Sequence, residues 1–130
     1  ILKVETGLKP VSTSSHISII EKAVSALRQK IKKGILVEVE TRTLEEVADA
    51  LKAGVDIILF DNMNIAQLEE AVKMVKRWKP FKGKHKPLTE ASGNITLENV
   101  HFVAQTGVDR ISVGAITHSA KALDISLEIS

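Results

Sequence analysis

The sequence predicts an α/β fold, a parallel β/α barrel of the TIM type that is incomplete or open, and two observations support it. Short β-branched segments alternate with amphipathic helical segments along the 130 residues, which is the order that builds a parallel sheet. The helix-turn-strand unit at 43–56 returns at 96–109, opening with Thr-Leu-Glu and closing with Gly-Val-Asp both times. Repetition of one unit favours a barrel over an open doubly wound sheet.

Length and composition limit the organisation and the classes of partner. With 130 residues and 44% hydrophobic content, residues 1–130 are expected to form one barrel domain or a barrel fragment, because a complete barrel needs about 250 residues. A net charge of +2 with interspersed signs does not require nucleic acid. The absence of cysteine excludes thiolate metal sites and favours the reducing cytoplasm. No apolar run is long enough to predict a membrane partner.

The first predicted helix runs from Ile17 to Lys33, and the second begins at a capping box formed by Thr43 and Glu46. Glycine is expected to close both helices, at Gly34 and at Gly54. Their inward-facing apolar stripes are Ile17, Ile20, Val24, Leu27 and Ile31 in the first, and Leu44, Val47, Ala48 and Leu51 in the second.

Two further helices and one ambiguous segment follow. Asn64 and Gln67 can cap the third helix, whose inner face carries Ile65, Leu68, Val72, Val75 and Trp78. The fourth helix is expected from about Thr96 to Thr106. A short helical signal lies at 119–123, and the alternating segment at 125–129 fits either helix or strand.

The predicted strands lie between these helices and are short and β-branched. They are Ile35–Glu40, Val55–Phe60, Pro87–Ala91 and Arg110–Val113. The second is apolar almost without interruption, which is typical of a strand covered on both faces of a parallel sheet.

Acidic side chains lie at the ends of two neighbouring predicted strands. Glu38 and Glu40 are two residues apart and therefore share one face of their strand. Asp61 and Asn62 directly follow the next strand. Catalytic groups of parallel β/α folds converge at the carboxyl ends of strands. Buried carboxylates need a compensating partner, so one interpretation is a site for a metal ion or for developing positive charge, and the other is an edge strand with solvent-facing acids.

Two glycine-containing turns follow the last two predicted strands. Residues 92–94 precede the fourth helix, whose free N–H groups would attract an oxyanion. Residues 114–119 follow the next strand and lead into a short helix. Many barrels hold a phosphate between two such loops and a short extra helix, so the pair favours a phosphate site over two ordinary turns. His118 can bond that phosphate, act as an acid, or merely orient the loop.

Two long stretches of the sequence carry a family resemblance. They are VEVETRTLEEVADALKAGVDIILFDN at 37–62 and EASGNITLENVHFVAQTGVDRISVGAITHSAKALDISL at 90–127. Together they resemble the C-terminal half of quinolinate phosphoribosyltransferase, also called nicotinate-nucleotide pyrophosphorylase. The resemblance covers about 35 to 128 and combines three motifs in the same order.

The resemblance implies a Mg²⁺-dependent reaction of NAD biosynthesis, in which quinolinate and phosphoribosyl pyrophosphate give nicotinate mononucleotide, pyrophosphate and CO₂. It implies that Glu40 and Asp61 face the ribosyl pyrophosphate and its metal, with Glu38 as a companion. The residues that it assigns to the nucleotide phosphate are Ser92, Gly93, Asn94, Gly114 and Ala115, with His118 beside them. It also implies a site completed by a neighbouring subunit, hence a homo-oligomer with a symmetric dimer favoured.

The sequence departs from the family pattern at several places. Thr13 to His16 stand where the family has a lysine-containing motif, and the family's basic quinolinate-binding loops and N-terminal sandwich domain are not expected in this chain. Asn94 replaces a second glycine, which requires a positive φ or a capping side chain. The alternatives are an inactive paralogue or fragment that binds a phosphorylated ligand, and another phosphate-binding barrel enzyme. Nucleic-acid binding through the basic stretch Lys73–Lys86 is not expected, and a solvated helix end and loop is the preferred interpretation.

Overall fold

The computed structural model describes residues 2–4, 17–81 and 83–114, which form alternating strands and helices. The strands are β1 (Leu2–Val4), β2 (Val37–Thr41), β3 (Ile57–Asp61), β4 (Leu88–Ser92) and β5 (Arg110–Ile111). The helices are α1 (Ile19–Lys30), α2 (Leu44–Ala53), α3 (Ile65–Arg77) and α4 (Val100–Gln105).

The five described strands form one parallel sheet, and their order in space is their order in the chain, β1-β2-β3-β4-β5. A doubly wound sheet reverses its strand order at a switch point, and no reversal occurs among the described strands. Sequential right-handed crossovers place successive helices on one face of a sheet. The architecture is therefore a partial, open β/α barrel, as predicted.

The apolar core lies between the sheet and the helices. Val39, Ile58 and Phe60 of the strands are buried and belong to one cluster with apolar residues of the helices. Because successive strand residues face opposite sides, Glu38 and Glu40 lie on the face turned away from this cluster. The predicted separation of acids from the apolar core is confirmed.

The aspartates that end the two copies of the repeated sequence unit make the same contact. The carboxylate of Asp56 accepts a hydrogen bond of 2.6 Å from the backbone N–H of Val37, and the carboxylate of Asp109 accepts one of 2.8 Å from that of Thr89. Each aspartate precedes a strand and thereby ties that strand to the beginning of its neighbour. These contacts lie at the amino ends of the strands, the edge that in barrels contributes mainly to stability.

Helix α1 is shorter than predicted at both ends. Ser18 caps it, with its hydroxyl accepting from the backbone N–H of Glu21 at 3.1 Å, so Ile17 lies outside the helix and is 61% exposed. The prediction that Ile17 joins the inner stripe is therefore wrong. The helix ends at Lys30, and Gly34, with a φ of 95°, belongs to the turn that follows rather than to the cap.

The capping predictions for the next two helices are confirmed with one change. Thr43 accepts from the backbone N–H of Glu46 at 3.2 Å, but the Glu46 carboxylate accepts from the backbone N–H of Arg42 at 2.7 Å, not from that of Thr43. Gly54 closes α2 with a φ of 71°. Asn64 and Gln67 form the predicted reciprocal box at the start of α3. Of the predicted inner face of α3, Ile65 is exposed.

Several strand bounds move by one or two residues. β3 begins at Ile57, although Val55 is fully buried, and β5 ends at Ile111. The segments 119–123 and 125–129 lie outside the described residues. Within the part of the chain that the structure describes, no helix is both long and apolar enough to cross a membrane.

Candidate functional site

The predicted site residues line one edge of the sheet, at the carboxyl ends of the strands. Glu40 lies near the end of β2, whereas Asp61 and Ser92 end β3 and β4 and are register partners. Gly114 follows β5 and is exposed. Because these strands are consecutive neighbours, the carboxylates, the turn at 92–94 and Gly114 share one edge. Of the remaining predicted residues, Ala115 and His118 lie outside the described residues.

Arg42 holds the two carboxylates of the site together. Its Nη2 donates to Glu40 Oε1 at 2.7 Å, and its Nε donates to Asp61 Oδ2 at 3.1 Å. The hydrogen bond from Arg42 to Asp61 and the negative charge of Glu40 raise the pKa of the Arg42 guanidinium above its usual value. Glu40 and Asp61 therefore converge on one cation, which in this structure is the guanidinium of Arg42.

Other polar groups continue along the same face of the sheet. Glu38 lies two residues before Glu40 and is only 3% exposed, so it sits deeper than the other two carboxylates. On β4, Glu90 accepts a hydrogen bond of 2.5 Å from the hydroxyl of Ser112, which follows β5. The face opposite the helices thus carries carboxylates on both sides of β3.

The turn after β4 lies beside the residue that follows β3, and three residues of this region have left-handed backbone conformations. Gly93 has a φ of 87°, and Asn94 and Asn62 have φ values of 50° and 55°. A Cβ added to Gly93 would lie 2.4 Å from Oδ1 of Asn62, so a side chain here would displace Asn62 as well as strain a backbone that favours glycine. Asn94 Nδ2 donates to the same Oδ1 at 2.9 Å. The positive φ expected for Asn94 is confirmed.

The helix that should follow this turn begins later than predicted. α4 starts at Val100, and the backbone N–H of Thr96 already donates to Asn99 Oδ1 at 2.8 Å. Asn99 Nδ2 also donates to the carbonyl of Asn94 at 2.9 Å, so asparagine side chains close the intervening turn. The prediction that a helix N-terminus at Thr96 supplies free N–H groups is wrong, and any anion site here depends on the turn at Gly93 and Asn94, where consecutive backbone amides can face one anion.

Sequence reasoning missed Arg42, which organises this edge, and it did not predict the partner of Asn62. Arg42 stands two residues after Glu40, and in extended backbone that spacing gives the same face, which is a signal that could have identified it. Asn62 stands next to Asp61 and was expected at the same strand end. Its contact with Asn94 joins residues 32 apart in sequence, and no local pattern reveals such a pairing.

The described residues could hold a magnesium ion only together with oxygen atoms of a bound ligand. Among residues 17–81 and 83–114, no group of three or more histidine, aspartate or glutamate side chains could hold a metal by itself. Mg²⁺ commonly binds one or two carboxylates together with substrate phosphates, and Glu40 and Asp61 supply two. The donor set therefore suits a metal that arrives with a phosphorylated ligand.

The basic stretch lies away from these carboxylates. A cleft of about 250 Å³ opens between α3 and the beginning of β4, with Lys76 and Lys86 among its lining residues. Lys86 Nζ donates to the carbonyl of Lys76 at 2.5 Å, and Lys73 pairs with Glu69 at 3.8 Å along α3. Since this cleft adjoins the amino ends of the strands, it is separate from the candidate site.

Comparison with known proteins links this edge to a family. The family model described as "Quinolinate phosphoribosyl transferase, C-terminal domain" matches residues 10–128. A relative from Nicotiana tabacum, quinolinate phosphoribosyltransferase (decarboxylating) 2b, mitochondrial, is 42% identical over 134 aligned residues, which cover 92% of this chain and 36% of the relative. A probable nicotinate-nucleotide pyrophosphorylase (carboxylating) from Synechocystis is 42% identical over 110 residues, covering 85% of this chain and 36% of that protein.

The fold agrees with solved structures of similar proteins. The nicotinate-nucleotide pyrophosphorylase from Francisella tularensis superposes with a TM-score of 0.67 at 38% sequence identity, over 82% of this chain and 36% of that chain. The present chain thus spans little more than a third of the length of these relatives. The matched part includes the sheet edge with Glu40, Asp61 and the turn at Gly93.

Proposed function

We propose that this chain, which belongs to the family of quinolinate phosphoribosyltransferase C-terminal domains, contributes the phosphoribosyl-binding part of an enzyme of NAD biosynthesis. The reaction would convert quinolinate and phosphoribosyl pyrophosphate to nicotinate mononucleotide, pyrophosphate and CO₂. The observation that carries the proposal is the convergence of Glu40 and Asp61 on one cation, beside the glycine turn that follows the neighbouring strand.

Glu40 and Asp61 would act as the catalytic residues. When the bond between ribose C1 and pyrophosphate breaks, its electron pair leaves with the pyrophosphate, and the ribose carbon becomes cationic. Two carboxylates fixed at the end of β2 and β3 stabilise such a cation electrostatically, because they need not reorganise during the reaction. The quinolinate nitrogen then forms the new bond to C1. One carboxyl group of quinolinate leaves as CO₂, and the electron pair that it leaves on the ring carbon takes a proton from water.

The turn at Ser92, Gly93 and Asn94 would bind the phosphate of the ribosyl group, together with Gly114. Support comes from the left-handed backbone at 93–94, since turns of this kind present consecutive amides to an anion. Ala115 and His118 are proposed for the same phosphate on the family resemblance alone.

Mg²⁺ is proposed as the cofactor, held by Glu40 and Asp61. When bound, it would neutralise charge on the departing pyrophosphate. The donor set supports this, since two carboxylates and a phosphorylated ligand together meet the preference of Mg²⁺ for oxygen ligands.

An activity assay tests the proposal. The chain is incubated with quinolinate, phosphoribosyl pyrophosphate and Mg²⁺, and nicotinate mononucleotide is followed by chromatography. We expect only slow product formation by the wild-type chain alone, because the quinolinate-binding loops are not expected in it. The kcat should fall about 10²–10³-fold further for Glu40→Gln and for Asp61→Asn, as when one group that stabilises developing charge is removed. Calorimetric binding of phosphoribosyl pyrophosphate without product would instead identify an inactive binding module, and neither binding nor product would refute both.

We also propose that the protein is a cytoplasmic homo-oligomer, with a symmetric dimer favoured. The described sheet has five strands where a closed barrel has eight, and exposed sheet edges favour pairing with another chain. Light scattering coupled to size exclusion measures the mass directly, and a monomer at micromolar concentration would contradict the dimer. Imaging of a tagged full-length protein tests the compartment, and an organellar signal would contradict the cytoplasmic assignment.

A further inference from the structure

Arg42 occupies the place between Glu40 and Asp61 where a ligand cation would be expected. Its guanidinium lies within 2.7 Å and 3.1 Å of the two carboxylates. The arginine side chain is 57% exposed, whereas the carboxylates are 15% and 16% exposed. The positive charge thus covers the open side of the pair and can move into solvent without disturbing the core.

The backbone of Arg42 is fixed independently of its side chain. Its N–H donates to the Glu46 carboxylate at 2.7 Å, and Thr41 before it is fully buried at the end of β2. A movement of the guanidinium therefore needs only side-chain rotations. Glu40 and Asp61 keep their positions on the sheet during such a movement.

We propose that Arg42 is an exchangeable counter-ion for the Glu40–Asp61 pair, an inference that rests on the proposed function. In the ligand-free protein, the guanidinium offsets one of the pair's two negative charges and opposes the binding of free divalent metal. When a phosphoribosyl donor brings its metal, Arg42 leaves the carboxylates and pairs with the pyrophosphoryl group. A guanidinium suits both partners because its planar donors match carboxylate and phosphate oxygens equally.

A count of charges explains why the exchange requires the phosphorylated ligand. With Arg42 in place, one positive charge faces two negative charges. A divalent cation added alone would enter the site while the Arg42 guanidinium still lies beside the carboxylates. Like charges at such distances repel. Pyrophosphate adds negative charge, which gives the released guanidinium a partner and removes the repulsion. Arg42 is thus a positioning residue that selects the metal–diphosphate complex over the free metal.

The test measures two affinities that should change in opposite directions. Mn²⁺ binding is followed by electron paramagnetic resonance without any substrate, and binding of phosphoribosyl pyrophosphate by calorimetry in Mg²⁺. In Arg42→Gln, Mn²⁺ affinity should rise about five- to tenfold, the order expected for losing two partly exposed ion pairs. Affinity for phosphoribosyl pyrophosphate should fall about tenfold, since one charge-assisted contact is lost. A variant that is merely less well folded would lose both affinities.

Two control variants limit the interpretation. Lys52→Gln removes the same charge from an exposed ion pair with Asp49 on α2 and should leave both affinities unchanged. The double variant E40Q/R42Q removes one carboxylate as well and should lose the gain in Mn²⁺ affinity.

Unchanged or weaker Mn²⁺ binding by Arg42→Gln would overturn the counter-ion role, because Arg42 would then be either irrelevant or needed to hold the carboxylates for the metal. The Mn²⁺ measurement needs no turnover, so it distinguishes failure of this inference from failure of the proposed function. If the wild type binds no phosphoribosyl pyrophosphate, the proposed function fails and the transfer of Arg42 to pyrophosphate fails with it, while the Mn²⁺ result still decides the counter-ion role.

Discussion

Removal of the Asp56 carboxylate should be among the most destabilising single changes outside the apolar core. Asp56 is 7% exposed, and it accepts hydrogen bonds from the backbone N–H of Val37 at 2.6 Å and from Arg28 Nη2 at 2.5 Å. Nε2 of His85 lies 3.1 Å from its other carboxylate oxygen. One side chain thereby connects α1, the beginning of β2 and the loop before β4.

The magnitude follows from what Asp56→Ala leaves behind. Val37 is fully buried, and a buried N–H without an acceptor costs about 1–3 kcal/mol. The Arg28 side chain is 33% exposed, so solvent screening limits its ion pair to about 1 kcal/mol or less. We expect a loss of about 3 kcal/mol in the free energy of unfolding. This is a large fraction of the total for a typical domain, which is about 5–15 kcal/mol. Asp56→Asn should cost less, because its amide oxygen can still accept from Val37.

Urea denaturation followed by circular dichroism measures these changes. Asp49→Ala is the matched control, since Asp49 loses only a surface ion pair with Lys52 at 3.2 Å and should cost about 0.5 kcal/mol or less. The reasoning is refuted if Asp56→Ala is no more destabilising than Asp49→Ala, because the buried N–H of Val37 would then have found another acceptor at no cost.

Three further predictions concern the turn after β4 and its surroundings. Gly93→Ala should lose about 1–3 kcal/mol of stability in urea, the usual cost of a side chain in a left-handed conformation, and a cost near zero would show that Asn62 moves aside. Asn94→Gly should change the midpoint of thermal unfolding little, because glycine relieves the backbone strain at a φ of 50° and this offsets the lost contact with Asn62. A large decrease in the midpoint would show that the contact outweighs the strain. A hydrogen bond from Thr96 lowers the pKa of Glu98, so the contact's contribution is present above the unfolded pKa and is lost as pH falls through the folded pKa. Thr96→Val should raise the Glu98 pKa in an NMR titration, and an unchanged titration would contradict this cause.

The sequence alone was sufficient for the order of the elements from α1 to β5, for the parallel class and for the shared face of Glu38 and Glu40. These properties depend on local periodicity: apolar residues at helical spacing in α2 and α3, and a two-residue spacing that puts Glu38 and Glu40 on one side of β2. The capping residues Asn64 and Gly54 also acted locally and were identified correctly. The N-terminus of α4 was predicted incorrectly. The backbone N–H of Thr96 donates to the side chain of Asn99, and the helix begins only after this turn.

The contacts that organise the candidate site became visible only in the folded chain. Arg42 meets Asp61 across 19 positions of sequence, Asn62 meets Asn94 across 32, and Asp56 meets Arg28 across 28. Such pairs form because parallel strands bring distant segments into register, and a helical or strand period carries no information about which strands become neighbours. The sequence identifies the residue types at the sheet edge, whereas the contacts between them depend on which strands pair.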